Sequence, residues 1–166
     1  MKVLSSISSV SVIALALMLS ACTQTKTFEV GDAKGTVTTD GNGNGTIKVN
    51  GSKGETISMN TGTNAAPAPD FPISVYPGSK CQLAMNQSGA GAMQTCALTT
   101  TDPLDKVSTY YKGWLESNGW TIKTEAAPGG VVTLIAEKGD QTASLMIVQG
   151  SGGQPNNINL TVSAKK

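Results

Sequence analysis

The chain contains no histidine, and because lysine accounts for every basic side chain it contains no arginine either. Without histidine the commonest general base, metal ligand and pH-sensitive group is missing, so a Ser-His-Asp or Cys-His catalytic arrangement is excluded within this sequence. Beyond residue 21, eleven lysines face eleven acidic residues. A near-neutral chain without a basic patch argues against a nucleic-acid partner, whose binding rests on many phosphate contacts. Long apolar runs are also scarce. The longest, between Val3 and Leu19, falls short of the roughly 20 residues that span a bilayer, serines interrupt it, and no basic cluster follows it. What it does have is the order of a secretory signal peptide: the charge of Lys2, an apolar stretch, then small residues.

The apolar run closes on Leu19-Ser20-Ala21-Cys22. A branched residue, two small residues and cysteine resemble the lipobox of bacterial lipoproteins. That resemblance implies cleavage after residue 21, a diacylglyceryl group on Cys22 and acylation of its new amino group. Each buried acyl methylene contributes about 0.8 kcal/mol, so two or three chains hold a protein at a membrane almost permanently. In a host with two membranes the same resemblance, with Thr23 in place of aspartate, implies the outer membrane; a periplasmic orientation is the expectation there, and the sequence itself leaves surface exposure open. With Cys22 carrying lipid, Cys81 and Cys96 remain as an even pair in an oxidising compartment, where a structural disulfide is the expectation.

Along the mature chain, residues 22–59 hold the attachment site and a Gly/Thr-rich repeat. Thr36-Val37-Thr38, Thr46-Ile47-Lys48 and Thr56-Ile57-Ser58 recur every ten residues, separated by Asp-Gly and Asn-Gly steps. Those steps suit tight hairpin turns and the intervening runs have strand character, so a small β-meander is expected. It holds too few apolar side chains to be stable alone, and must lean on the next domain or form a flexible stalk. Residues 60–70 read as a Pro/Ala linker.

A domain over residues 71–166 follows. Pro77-Gly78 fits a type II turn. Strands are expected at about 80–87 and 92–99, with Cys81 and Cys96 nearly equidistant from the turn between them. Asp102 can cap a helix over 103–118, Pro103 suits its first turn, and Leu104, Val107, Tyr111, Trp114 and Leu115 form one apolar stripe. Gly119 and Trp120 suit a Schellman ending. Four further strands are expected at about 120–125, 131–138, 142–149 and 157–163. The fold class is therefore α+β, an antiparallel sheet with one packed helix in the order β-β-α-β-β-β-β.

Tyr76-Pro77-Gly78, Thr101-Asp102-Pro103, Tyr110-Tyr111, Gly119-Trp120 and the hairpin 134–140 resemble a C-terminal domain of small bacterial envelope lipoproteins of unknown function. A looser similarity is to the helix-grip domains of lipoproteins in outer-membrane assembly machinery. Both imply a helix-on-sheet domain, and neither brings catalytic residues.

Three constellations carry chemistry. Asp40, Asn42 and Asn44, with Gly45 and Ile47, match the start of an EF-hand loop and are weak calcium candidates, since Gly51 stands where the bidentate glutamate belongs. Four of the seven aromatics lie between residues 110 and 120. Tyr111 and Trp114 belong to the core stripe, which leaves Tyr110 as the candidate surface contact. Met85 and Met93 make a poor Cu(I) site and suit core packing better. The expectation is a non-enzymatic, lipid-anchored envelope protein without cofactor, attached to the membrane through Cys22, whose domain binds a protein partner or acts as a scaffold. The alternative is binding of a small ligand or glycan.

Overall fold

Among the described residues, runs of alternating side chains separated by glycine-containing turns become ten strands, and the stretch with helical spacing becomes one helix. The computed structural model describes residues 23–89 and 91–164. The expected signal peptide and Cys22 lie outside the described residues. In chain order the elements are β1 (Gln24–Val30), β2 (Ala33–Thr39), β3 (Gly45–Asn50), β4 (Thr56–Thr61), β5 (Lys80–Ser88), β6 (Met93–Thr100), α1 (Leu104–Ser117), β7 (Thr121–Ala126), β8 (Val131–Lys138), β9 (Gln141–Val148) and β10 (Asn156–Ala164). All ten strands form one antiparallel sheet in the order β1-β2-β3-β4-β5-β6-β10-β9-β8-β7. The first six strands meander. Helix α1 then carries the chain to the far edge, and β7 to β10 meander back until β10 pairs with β6.

The α+β class and the single packed helix agree with the pattern of the sequence, and the sheet is larger than expected. Strand β4 pairs with β5 through six registered residues, from Thr56↔Ser88 to Thr61↔Leu83. The repeat region therefore extends the domain's own sheet. The stretch read as a linker is partly tied down as well: Gly62 N–H donates to the Gln82 carbonyl at 3.1 Å, and Ala65 is buried. Backbone groups at the end of β4 find partners on β5 and so do not need water.

The core lies between the sheet and α1. Val107, Tyr111 and Leu115 of the helix and Leu134, Leu145, Ile147, Ile158 and Leu160 of the strands are all fully buried. Ile73 and Tyr76 of the incoming segment join the same cluster. Each such aliphatic side chain stabilises the fold by about 1.5–3 kcal/mol through burial. The helix ends as expected. Gly119, at φ 78°, donates to the Glu116 carbonyl and Trp120 N–H to that of Leu115 at 2.9 Å, which is the Schellman pattern. Its start differs: Pro103 takes the cap position with no side-chain cap bond. The Asp102 carboxylate instead accepts the Tyr76 hydroxyl at 2.6 Å and pairs with Lys106 at 2.8 Å.

Candidate functional site

Edges come first, because an unpaired strand edge is the simplest binding surface that a sheet presents. The two edges here differ. On β7 the register shifts between Ile122 and Thr124, so a bulge interrupts its ladder with β8. On β1 the pairing with β2 runs unbroken from Gln24↔Thr39 to Val30↔Ala33, and all seven residues of the strand are exposed. The hairpin joining β1 to β2 turns tightly through Gly31 and Asp32. The later turns, over residues 40–44 and 51–55, are wider than the two-residue connection that the Asx-Gly steps suggested.

The first of these wider turns holds the calcium candidates. One Asp40 carboxylate oxygen accepts the N–H groups of Asn42 and Asn44, both at 2.9 Å, and the other accepts the Asn44 side-chain amide at 2.6 Å. These bonds, led by the Asn44 amide, hold the Asp40 carboxyl below its ordinary pKa. The Asn44 side-chain oxygen accepts from Thr63 and from the N–H of Asn64. Oxygens that would ligate a cation thus close the hairpin and tie it to the segment after β4. In this structure the side chains of Asp40 and Asn44 form the turn.

Tyr110 is likewise drawn into the fold. Its ring stands edge-on to Tyr76 and Tyr111, each 5.1 Å away, and its hydroxyl donates to Ser74 Oγ at 3.2 Å. Tyr110 nevertheless stays half-buried, with part of the ring at the surface. The helical spacing does place Tyr110 off the buried stripe, but the incoming segment with Ser74 and Tyr76 packs against it there. Burial, the Tyr76–Asp102 hydrogen bond and the Asp102 charge raise the Tyr76 pKa to about 12. Lys106 first, and the Tyr76 hydroxyl second, hold the Asp102 carboxyl below its ordinary value.

Cys81 and Cys96 do come together, but as free thiols. Their sulfurs are 3.4 Å apart, where a disulfide needs about 2.05 Å, so the expected bond is absent from this structure. The hairpin does not set the two opposite one another: Cys81 pairs with Leu98 and Cys96 with Ala84. The register shift between Cys81 and Leu83 lets the diagonal side chains meet. Burial pushes the Cys96 thiol well above its ordinary pKa, so it is held protonated. Met85 and Met93 also fall on different pairs: Met85 stands opposite Met59 and Thr95, and Met93 opposite Gln87.

One feature was not legible in the sequence. An open cleft of about 320 Å³ lies where the ends of β5, β6 and β10 meet the incoming chain, and Asp70, Asn86, Gln94, Gln141, Met93 and Val162 are among its lining residues. The side-chain oxygen of Gln94 is buried there with no hydrogen-bond partner. A buried acceptor left open is a place for water or for the donor group of a ligand. By contrast the helix–sheet interface is filled by the side chains of the core. Among the described residues no group of three or more acidic or cysteine side chains could hold a metal ion, and no helix is long and apolar enough to cross a membrane.

A protein family described as START domain-like matches residues 81–157, from β5 into β10. No curated protein and no solved structure matches the chain. The similarity is consistent with the helix-on-sheet architecture. It leaves out β1 to β4, although these belong to the same sheet.

Proposed function

We propose that this protein is a non-enzymatic binding module of the bacterial envelope, held at the membrane by lipid on Cys22, that recognises a protein partner by strand addition. One observation carries the reading: β1 is a regular, fully exposed edge strand, whereas the other edge is broken by a bulge. An extended segment added to β1 gains main-chain hydrogen bonds without rearranging the sheet. The lipobox resemblance supports the location, and the absence of histidine supports a binding role over hydrolysis. The outer membrane, facing the periplasm, is the proposed site in a two-membrane host.

In-cell crosslinking followed by affinity recovery tests this. The comparison is between the wild-type chain, a Cys22→Ala variant, and proline placed separately at Lys26 and Thr27. In an edge strand successive N–H groups alternate between the neighbour and the free side, so one of the two prolines removes an outward donor. The expected result is one stoichiometric partner, lost without the anchor and with one of the prolines. Recovery of bulk lipoproteins alone refutes strand addition.

A second reading, binding of a small ligand or glycan, is favoured by the START-like similarity and the unpartnered Gln94 oxygen in its amide-lined cleft. It predicts thermal stabilisation by a hydroxyl-bearing ligand that Gln94→Ala abolishes.

A further inference from the structure

The sheet changes its apolar side partway across. From β6 through β7 the buried side chains face the helix, as do Cys81 and Ala84 of β5, whereas in β1 to β4 the apolar side chains lie on the reverse face. Registered partners share a face of a sheet, and they trace two rows there: Lys26-Val37-Ile47-Met59-Met85 and Phe28-Gly35-Val49-Ile57. None of these side chains belongs to the buried cluster of the core. Phe28 and Ile57 are each 36% exposed, and Val30, at the end of β1, is 70% exposed. The Phe28 ring covers Gly35, where an added Cβ would come within 2.2 Å of it. This close approach keeps the surface low.

Charge is distributed just as unevenly. On the helix side of the same strands stand Glu29, paired with Lys34 at 3.2 Å, and Lys48. The remaining acids of this half, Asp32, Asp40 and Glu55, sit in turns. The reverse face of β1 to β5 therefore carries no acid and two cations, Lys26 and Lys80. A contiguous apolar patch of this kind marks an interaction surface, in a way that scattered exposed hydrophobes do not.

We infer that this face lies on the lipid bilayer, seated at the boundary between headgroups and acyl chains. The inference rests on the lipid-anchor reading of Cys22. Strand β1 begins at Gln24, two residues after that cysteine, and an extended residue spans at most about 3.6 Å, so the edge strand starts within about 7 Å of the attachment point. A sheet tethered that closely has little freedom to stand away from the membrane. With its reverse face down it buries Phe28, Val30, Val49 and Ile57 against lipid and brings Lys26 to the phosphates. The opposite orientation would turn Glu29, Lys34, Lys48 and a field of threonines toward the lipid and bury no apolar side chain of β1 to β4. The seated sheet leaves the edge of β1 open along the membrane plane, accessible to a partner that is itself membrane-bound. Monotopic proteins bind in this way, with an apolar face sunk about 5–10 Å and basic residues beside anionic headgroups.

The test uses the full-length lipidated protein in vesicles of phosphatidylethanolamine and phosphatidylglycerol, with and without brominated acyl chains. Tryptophan is introduced at Ile57, at Val30 in a second variant, and at Glu116 on the exposed side of the helix as the control. The expected result is a blue shift and loss of emission in brominated lipid for the first two positions and no change for Glu116→Trp. Mass spectrometry of the N-terminal peptide is run on the same samples. Lipid present on Cys22 with both reporters unquenched overturns the seating and leaves the anchor intact. If those samples also sediment as dimers, a second copy occupies the face. Absence of the lipid mass overturns the anchor, and the seating with it.

Discussion

The seam between β4 and β5 separates a half of the sheet that shares the buried core from a half that does not, and its strength can be worked out. Six cross-strand pairs join the two strands. Pairs of this kind contribute about 0.2–1 kcal/mol each, so the seam is worth roughly 1–6 kcal/mol. Most of that range lies below the global stability of a domain of this size, about 5–15 kcal/mol. Met59 lies inside the seam, opposite Met85 on one side and Ile47 on the other. Met59→Pro deletes an N–H from one of the two ladders and leaves a carbonyl acceptor unpaired, at about 1–3 kcal/mol. Opening of β1 to β4 should then become roughly 5- to 150-fold more frequent. Hydrogen exchange followed by mass spectrometry reads this directly, because local opening and global unfolding expose different amides. Protection should fall by that factor over residues 24–61 and stay unchanged over 93–100 and 131–164. Equal loss in both halves would refute the reasoning, since the sheet would then open as one cooperative unit. No loss anywhere would show that something other than this ladder holds the meander.

Other outcomes follow from the core, the tyrosine contact and the thiols. Leu115 is fully buried, so Leu115→Ala should lower unfolding free energy in urea by about 3–5 kcal/mol, and a loss below about 1 kcal/mol would contradict the packing. Tyr76 is raised from 10.0 to about 12; its folded pKa is the higher one, so its contribution is complete below pH 10 and disappears as pH rises through about 12. The stability gap between wild type and Tyr76→Phe should therefore narrow over that window, and a pH-independent gap would mean that the phenylalanine differs by packing alone. Oxidation of the purified protein should close Cys81 to Cys96 without large rearrangement. Bridging a separation of 15 residues stabilises by about 3 kcal/mol in the chain-entropy model, so the oxidised form should need more urea to unfold than the reduced one. Two thiols that still react with a chromogenic disulfide after oxidation would exclude the bridge.

Local signals carried far along this chain because they act within a few residues. Pro103, the stripe through Val107, Tyr111 and Leu115, and the Gly119-Trp120 stop define a helix that needs no distant partner to be recognised. The strands of residues 80–164 announce themselves by alternation, since one face is buried and the other is not. The repeats at residues 36–58 show their strands in the same way, and the place of their turns though not their width.

What sequence order could not supply was the neighbour across each gap. Thr56 to Thr61 carry no mark that their partners are Leu83 to Ser88, because backbone ladders are made by groups that every residue possesses. Asp102 looks like a helix cap in sequence. It became the acceptor of Tyr76, 26 residues earlier, when packing set the two side by side. Tyr110 looks solvent-facing by its helical phase until Ser74 and Tyr76 arrive from outside the helix. The cleft lined by Gln94, whose buried side-chain oxygen has no partner, exists only where three strand ends and an incoming loop converge. Period and capping are properties of a few adjacent residues, so the sequence by itself determined the helix, the repeat strands and the strands of the domain with their inward faces. Gln24–Val30, by contrast, reads as a polar spacer until pairing with β2 makes it a strand. Pairing, edges and clefts depend on which distant surfaces meet, so only the tertiary structure decided them.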